Sequence, residues 1–174
     1  MAKLKGMRKL NKAITAELKP FGISKAVCSD EYSYNFDNES VNFKLTEGEI
    51  EDKWFLDFIK ERFGYTARYP FVISLLHEIG HHKANDEIVD SISDFCDSEK
   101  ERISDAMLAA KTTKECKVLE WQYFNLPDEI MATAWAVDFA KKHPKKVKKM
   151  WVKMKEALLN FYEVNGVLDD IDNE

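Results

Sequence analysis

Along the chain the apolar positions switch between a spacing of three to four residues and a spacing of two, and each switch marks an element. Leu4, Met7, Leu10, Ile14 and Leu18 fall at helical spacing and predict an amphipathic helix over 3–18, closed by Pro20 and Gly22, with a basic opposite face. Tyr32, Tyr34 and Phe36 then alternate with polar residues, Asp37 to Ser40 supply turn chemistry, and Val41, Phe43 and Leu45 alternate again. This pattern predicts a β-hairpin, which a further strand over Ile23 to Cys28 would extend. Ile50, Trp54, Phe55, Phe58 and Ile59 line one side of a second helix over 48–63, opposite an acidic face.

Pro70 suits a first helical position, and Phe71, Val72, Ile73, Leu75, Leu76 and Ile79 make the helix over 70–83 apolar nearly all round, as a buried helix should be. One or two helices of mixed polarity follow over 86–108, and a short one over 115–124. Pro127 opens another apolar helix, 129–140, halted at His143-Pro144. Val147, Met150, Trp151, Met154, Leu158 and Phe161 define a last amphipathic helix, which leads into an acidic tail.

The expected fold class is therefore α+β, mainly helical, with a small antiparallel hairpin or sheet near the N-terminus. With 174 residues, 45% hydrophobic and 12% aromatic, the chain has enough apolar side chain for a sizeable core and the length of one domain. No internal repeat or Gly-Ser hinge divides it. The organisation expected is one domain over 1–174, with an N-terminal helix within 1–20, a basic C-terminal helix over 141–165 and an acidic tail over 166–174.

A net charge of −5 argues against a general nucleic-acid binder, whose footprint would be basic. No uncharged apolar run exceeds about ten residues, where a membrane span needs roughly 18 to 20. The first residues, Met1 to Arg8, carry scattered charges in place of a secretion core. A cytoplasmic protein without a membrane span is expected. Cys28, Cys96 and Cys116 are widely spaced and form no C-x-x-C, which predicts thiols packed as small hydrophobes.

The chemistry is concentrated in His77-Glu78-Ile79-Gly80-His81, an H-E-x-x-H set on the most apolar helix. Positions i and i+4 share a helix face, so both imidazoles can reach one ion about 2 Å from each ring nitrogen. Glu78, offset by one residue, stands beside the ion as a general base for an attacking water. This is the pattern of a metal hydrolase. A chain of this composition would contain about 0.01 such motifs by chance. The structural reading, core histidines with a buried glutamate ion pair, requires a separate buried partner for each of three polar groups, at several kcal/mol apiece if unmet. One cation would satisfy all three.

A catalytic zinc site needs a third protein ligand. Glu129 is the best candidate: it sits in the first turn of the apolar helix and shares a face with the small residues Ala132 and Ala136. Those alanines, with Gly80, would let two helices bonded to one ion approach closely. A first-turn glutamate also suits the helix dipole alone. Glu87, ten residues after His77, and His143 are the alternative ligands; His82, turned about 100° from the His77/His81 face, is expected at the rim.

Phe71, Leu75 to His81, the upstream hairpin, and Glu129, Ala132, Trp135 and Ala136 together resemble the zincin metallopeptidases of the ImmA/IrrE-like kind. That family pairs H-E-x-x-H with E-x-x-A-N-x-F-A; here Trp135 stands for the Phe and Thr133 for the Asn. The likeness spans roughly 32–140, with the helix over 48–63 as an insertion. It implies a zincin-like fold, Zn²⁺ held by His77, His81 and Glu129, Glu78 as general base, and cleavage of peptide bonds in an intracellular protein, often a transcriptional repressor of a phage or other mobile element.

Tyr65, Tyr69, Tyr123 and His143 are candidate donors to a developing oxyanion, and the strand Val41 to Leu45 is a candidate edge for pairing with an extended peptide. Eight lysines between Lys141 and Lys155 suit an anionic surface or partner groove, and equally the solvated face of a packed helix. Two rival functional readings stand beside the peptidase: a non-catalytic zincin scaffold acting by protein contact in a mobile-element switch, and a metal-free helical protein. Metal analysis and a Glu78→Gln control separate the three.

Overall fold

A computed structural model describes residues 5–45, 49–84 and 89–165. Leu4, Gly48, Asp86, Glu87, the side chain of Ile50 and the acidic tail over 166–174 lie outside the described residues. The chain forms two compact units, one from residues 1–45 with 143–174 and one from 46–142. The fold is α+β and mainly helical, with a three-stranded sheet near the N-terminus.

In the first unit, α1 (Met7–Leu18) buries Leu10, Ile14 and Leu18, the stripe that helical spacing dictates, and packs on α7 (Pro144–Asn165). A short 3₁₀ turn, Lys19–Phe21, ends at Gly22, whose φ of 97° is open to glycine at little cost. The stripe of α7, Val147, Met150, Met154, Leu158 and Phe161, is buried. Its lysines belong to the solvated side of a packed helix, and Lys153 Nζ pairs with Glu17 of α1 at 2.6 Å.

The sheet has the order β1 (Lys25–Cys28), β3 (Ser40–Phe43), β2 (Ser33–Asn35). β2 and β3 make the expected antiparallel hairpin, Tyr34 opposite Val41, turning through Glu39 at φ 50°. The expectation of an antiparallel sheet holds only for that pair: β1 runs parallel to β3, Ala26 opposite Val41, so the sheet is mixed. Nothing in a two-residue alternation distinguishes the two pairings. The same arrangement corrects the expectation of an open strand over Val41 to Leu45. β3 is paired on both sides, and Val41 and Phe43 are fully buried, so it presents no edge to a peptide. The outer edge of β1 is covered as well: Ala26 N–H donates to Thr15 Oγ1 at 2.8 Å and Cys28 N–H to Asn11 Oδ1 at 3.1 Å, both from α1.

The second unit contains α2 (Glu49–Phe63), α3 (Pro70–Ala84), α4 (Asp90–Ala109), α5 (Thr113–Phe124) and α6 (Pro127–Lys142). Of the region expected to hold one or two helices, the described residues form a single helix, α4. α3 is buried along nearly its whole length and makes with α6 the most extensive helix contact of the described residues. Gly80 and Ala132 permit it. A Cβ built on Gly80 would lie 2.3 Å from the Ala132 carbonyl oxygen and 2.7 Å from its Cα. Around this pair, Phe55 and Phe58 of α2 pack against Phe124, while Cys96, Ile103 and Leu126 form a small second cluster beneath α4 and α5. The cysteines are unbridged, Cys96 buried and the other two half-buried.

Candidate metal centre

His77 and His81 project one turn apart from α3, and Glu129 comes from the first turn of α6. The backbone contact between Gly80, next to His81, and Ala132, three residues after Glu129, holds the two helices close enough for the three side chains to meet. Their donor atoms converge. Glu129 Oε2 is 3.0 Å from His77 Nε2 and 3.5 Å from His81 Nε2, and the two Nε2 atoms are 3.3 Å apart. All three residues are buried, with 6%, 9% and 2% exposure for His77, His81 and Glu129. Among the described residues this is the one His, Cys, Asp and Glu group able to surround an ion.

The spacing meets a simple test. Three ligands of a tetrahedral ion, each about 2.0–2.1 Å from it, stand about 3.3–3.4 Å from one another. The observed separations bracket that value within the 3.0–3.5 Å range. Imidazole nitrogen and carboxylate oxygen suit zinc, and also iron, nickel or copper.

Around the three donors is a shell of supporting groups. Thr133 Oγ1, one turn after Glu129, lies 3.0 Å from His77 Nδ1 and so directs Nε2 toward Glu129 and His81. Phe55 packs edge-on against the His77 ring at a centroid distance of 5.0 Å. Lys100 of α4 takes the other carboxylate oxygen: its Nζ is 2.6 Å from Glu129 Oε1 and 2.5 Å from Asp128 Oδ2. Burial works to raise the Glu129 carboxyl pKa, but His81 and His77 together hold it well below the usual carboxylate range. Burial likewise works to lower the Lys100 pKa, and the Glu129 charge, with Tyr123 and Asp128, carries it well above the usual lysine value.

Glu78 is buried on α3 with 5% exposure, next to His77. Of the four candidate oxyanion donors, Tyr123 lies in this electrostatic field: burial and then the Glu129 charge raise its hydroxyl pKa, with Glu78 adding to the rise and Lys100 opposing it. Tyr65 and Tyr69 instead stack with Lys141 and Arg68. His143 is exposed and belongs to no metal-binding group among the described residues, His82 is half-buried, and Glu87 is outside the described residues.

The role of Lys100 was not legible from sequence. It lies in a run of surface-type residues, Asp97-Ser98-Glu99-Lys100-Glu101-Arg102, where a lysine reads as one more solvated charge. The available signal was Asp128 beside Glu129 at the head of an apolar helix, since two adjacent half-buried or buried carboxylates call for a cation. No protein-family model, curated protein or solved structure matches this chain.

Proposed function

We propose that the chain is a zinc-dependent metallopeptidase resembling the ImmA/IrrE-like zincins, acting in the cytoplasm on peptide bonds of an intracellular protein. What carries the reading is the convergence, 3.0–3.5 Å apart, of two imidazoles from the helix that bears the H-E-x-x-H with one carboxylate from α6. His77, His81 and Glu129 would hold the ion. Three protein donors match the usual number in a catalytic zinc site and leave a fourth position for water or substrate. When bound, zinc supplies Lewis acidity, bringing the pKa of a ligand water toward about 7 and drawing charge from a carbonyl oxygen.

The rest is assigned to the protein's own groups. Glu78 accepts the proton of the attacking water and passes it to the leaving nitrogen. Burial of Glu78 keeps that carboxylate from competing bulk water. Thr133 keeps the His77 ring turned inward, and the Tyr123 hydroxyl, with its raised pKa, stays protonated as a hydrogen-bond donor.

Metal content of the purified protein, with anomalous scattering to locate the ion, tests the site. One zinc per chain is expected, and Glu129→Ala should reduce occupancy. An intact stoichiometry in that variant would move the third ligand to Glu87 or His143. Peptidase activity, assayed with transcriptional repressors as first substrates, should vanish in Glu78→Gln while zinc remains bound. Zinc binding without hydrolysis by the wild type would instead mark a non-catalytic scaffold.

A further inference from the structure

We infer that Lys100 is a positioning residue that fixes Glu129 as a one-oxygen ligand and so keeps the fourth position of the metal site open. The inference rests on the proposed His77, His81 and Glu129 site. Its own support is the division of labour between the two carboxylate oxygens: Oε2 faces both imidazoles, while Oε1 is engaged by the Lys100 ammonium at 2.6 Å. A carboxylate with only one oxygen committed can swing to offer both to the same ion, filling the place a water or substrate needs. An ammonium already bonded to the second oxygen opposes that swing.

Lys100 is itself held in place. Asp128 Oδ2 takes the same ammonium at 2.5 Å, and the Tyr123 ring lies beneath it at 5.4 Å from its centroid. Asp128 and Glu129 are consecutive, so one lysine clamps the first turn of α6 through two carboxylates. Asp128 also answers an electrostatic objection, because an ammonium near a divalent ion would be repelled. The aspartate charge offsets that repulsion at short range. α4 thus reaches the site through one side chain, and the ligand's orientation depends on a helix that contributes no ligand.

Zinc affinity by chelator competition and the visible spectrum of the cobalt-substituted protein test the assignment. Lys100→Met should weaken zinc binding about 10- to 100-fold, the usual cost of losing a group that orients a ligand. At saturating Co²⁺ it should also weaken the d–d absorption, as a four-coordinate ion becomes five-coordinate. Lys100→Arg should restore both, and Asp128→Asn should shift both in the same direction by less. If Lys100→Met does not fold, Lys100→Gln takes its place. A variant with wild-type affinity and an unchanged cobalt spectrum overturns the role of Lys100 while leaving the metal site standing. A wild-type protein that binds neither Zn²⁺ nor Co²⁺ overturns both. A lysine that merely stabilises the fold would lower the melting temperature without altering the spectrum of the saturated protein.

Discussion

Adding one methyl group to Gly80 provides the most direct challenge to the geometry of the site. In an exposed helix interior, Gly→Ala is stabilising by up to about 1 kcal/mol, because alanine has the higher helix propensity. Here the sign should reverse. The new Cβ would meet the Ala132 carbonyl oxygen at 2.3 Å, its Cα at 2.7 Å and its carbonyl carbon at 2.8 Å. Ordinary carbon-to-oxygen contact begins near 3.3 Å, so α3 and α6 must separate by about 1 Å. The atoms met belong to the backbone, and no rotamer change relieves them. Overpacking of this kind costs about 1–3 kcal/mol, and rigid partners place it toward the upper end. After the propensity gain, a net loss of about 2 kcal/mol is expected.

Urea denaturation with chelator present isolates this packing term from any metal. The same opening separates His77 and His81 from Glu129 by far more than the roughly 0.2 Å tolerance of a ligand distance, so zinc affinity should fall at least tenfold. Because the clash is with main-chain atoms, Ala132→Gly should fail to rescue Gly80→Ala. A Gly80→Ala protein as stable as the parent, or more so, would refute the close approach and the reason given for it.

Four further outcomes are expected. Thr133→Val, which keeps the volume but removes the group that orients His77, should weaken zinc binding about 10- to 100-fold and leave the circular dichroism unchanged. Saturating zinc at about 1,000 times its Kd should stabilise the protein by about 4 kcal/mol, measured as a melting shift that EDTA reverses. At the head of α5, Thr112 and Glu115 form a reciprocal cap in which Thr112 Oγ1 accepts from Glu115 N–H and Glu115 Oε2 accepts from the Lys111 and Thr112 N–H groups. Thr112→Ala should cost about 0.5–2 kcal/mol in urea denaturation. The Lys111 N–H, with Thr112, lowers the Glu115 pKa below 4.5. Its share of stability is therefore complete above the unfolded-state value and disappears as pH falls through the lowered one, which a pH series with Glu115→Gln as control would trace.

The elements most legible in the sequence were those whose pattern and packing agree. Leu10, Ile14 and Leu18 are buried as their spacing requires, and α3, apolar nearly all round, is buried along nearly its whole length. The meeting of His77, His81 and Glu129 followed from local signals: a spacing of four on one helix, a first-turn acid on another, and small residues between. What escaped was non-local. The parallel pairing of β1 with β3 depends on a strand inserted between two others, and no residue in Lys25–Cys28 reports it. Lys100 reaches Asp128 across 28 residues and a change of helix, and its own neighbours, Glu99 and Glu101, offer competing reasons for a charge there.

The α1 side chains beside β1 have a bearing on solubility. A small mixed sheet ordinarily has two flanks able to recruit another polypeptide into a growing stack. With Asn11 and Thr15 occupying the Cys28 and Ala26 amides, one flank is already spoken for. The other is only the three-residue strand Ser33–Asn35, a short template for fibre growth. Replacing Asn11 and Thr15 with alanine would reopen the longer flank, turning two inconspicuous helix residues into guards against self-association.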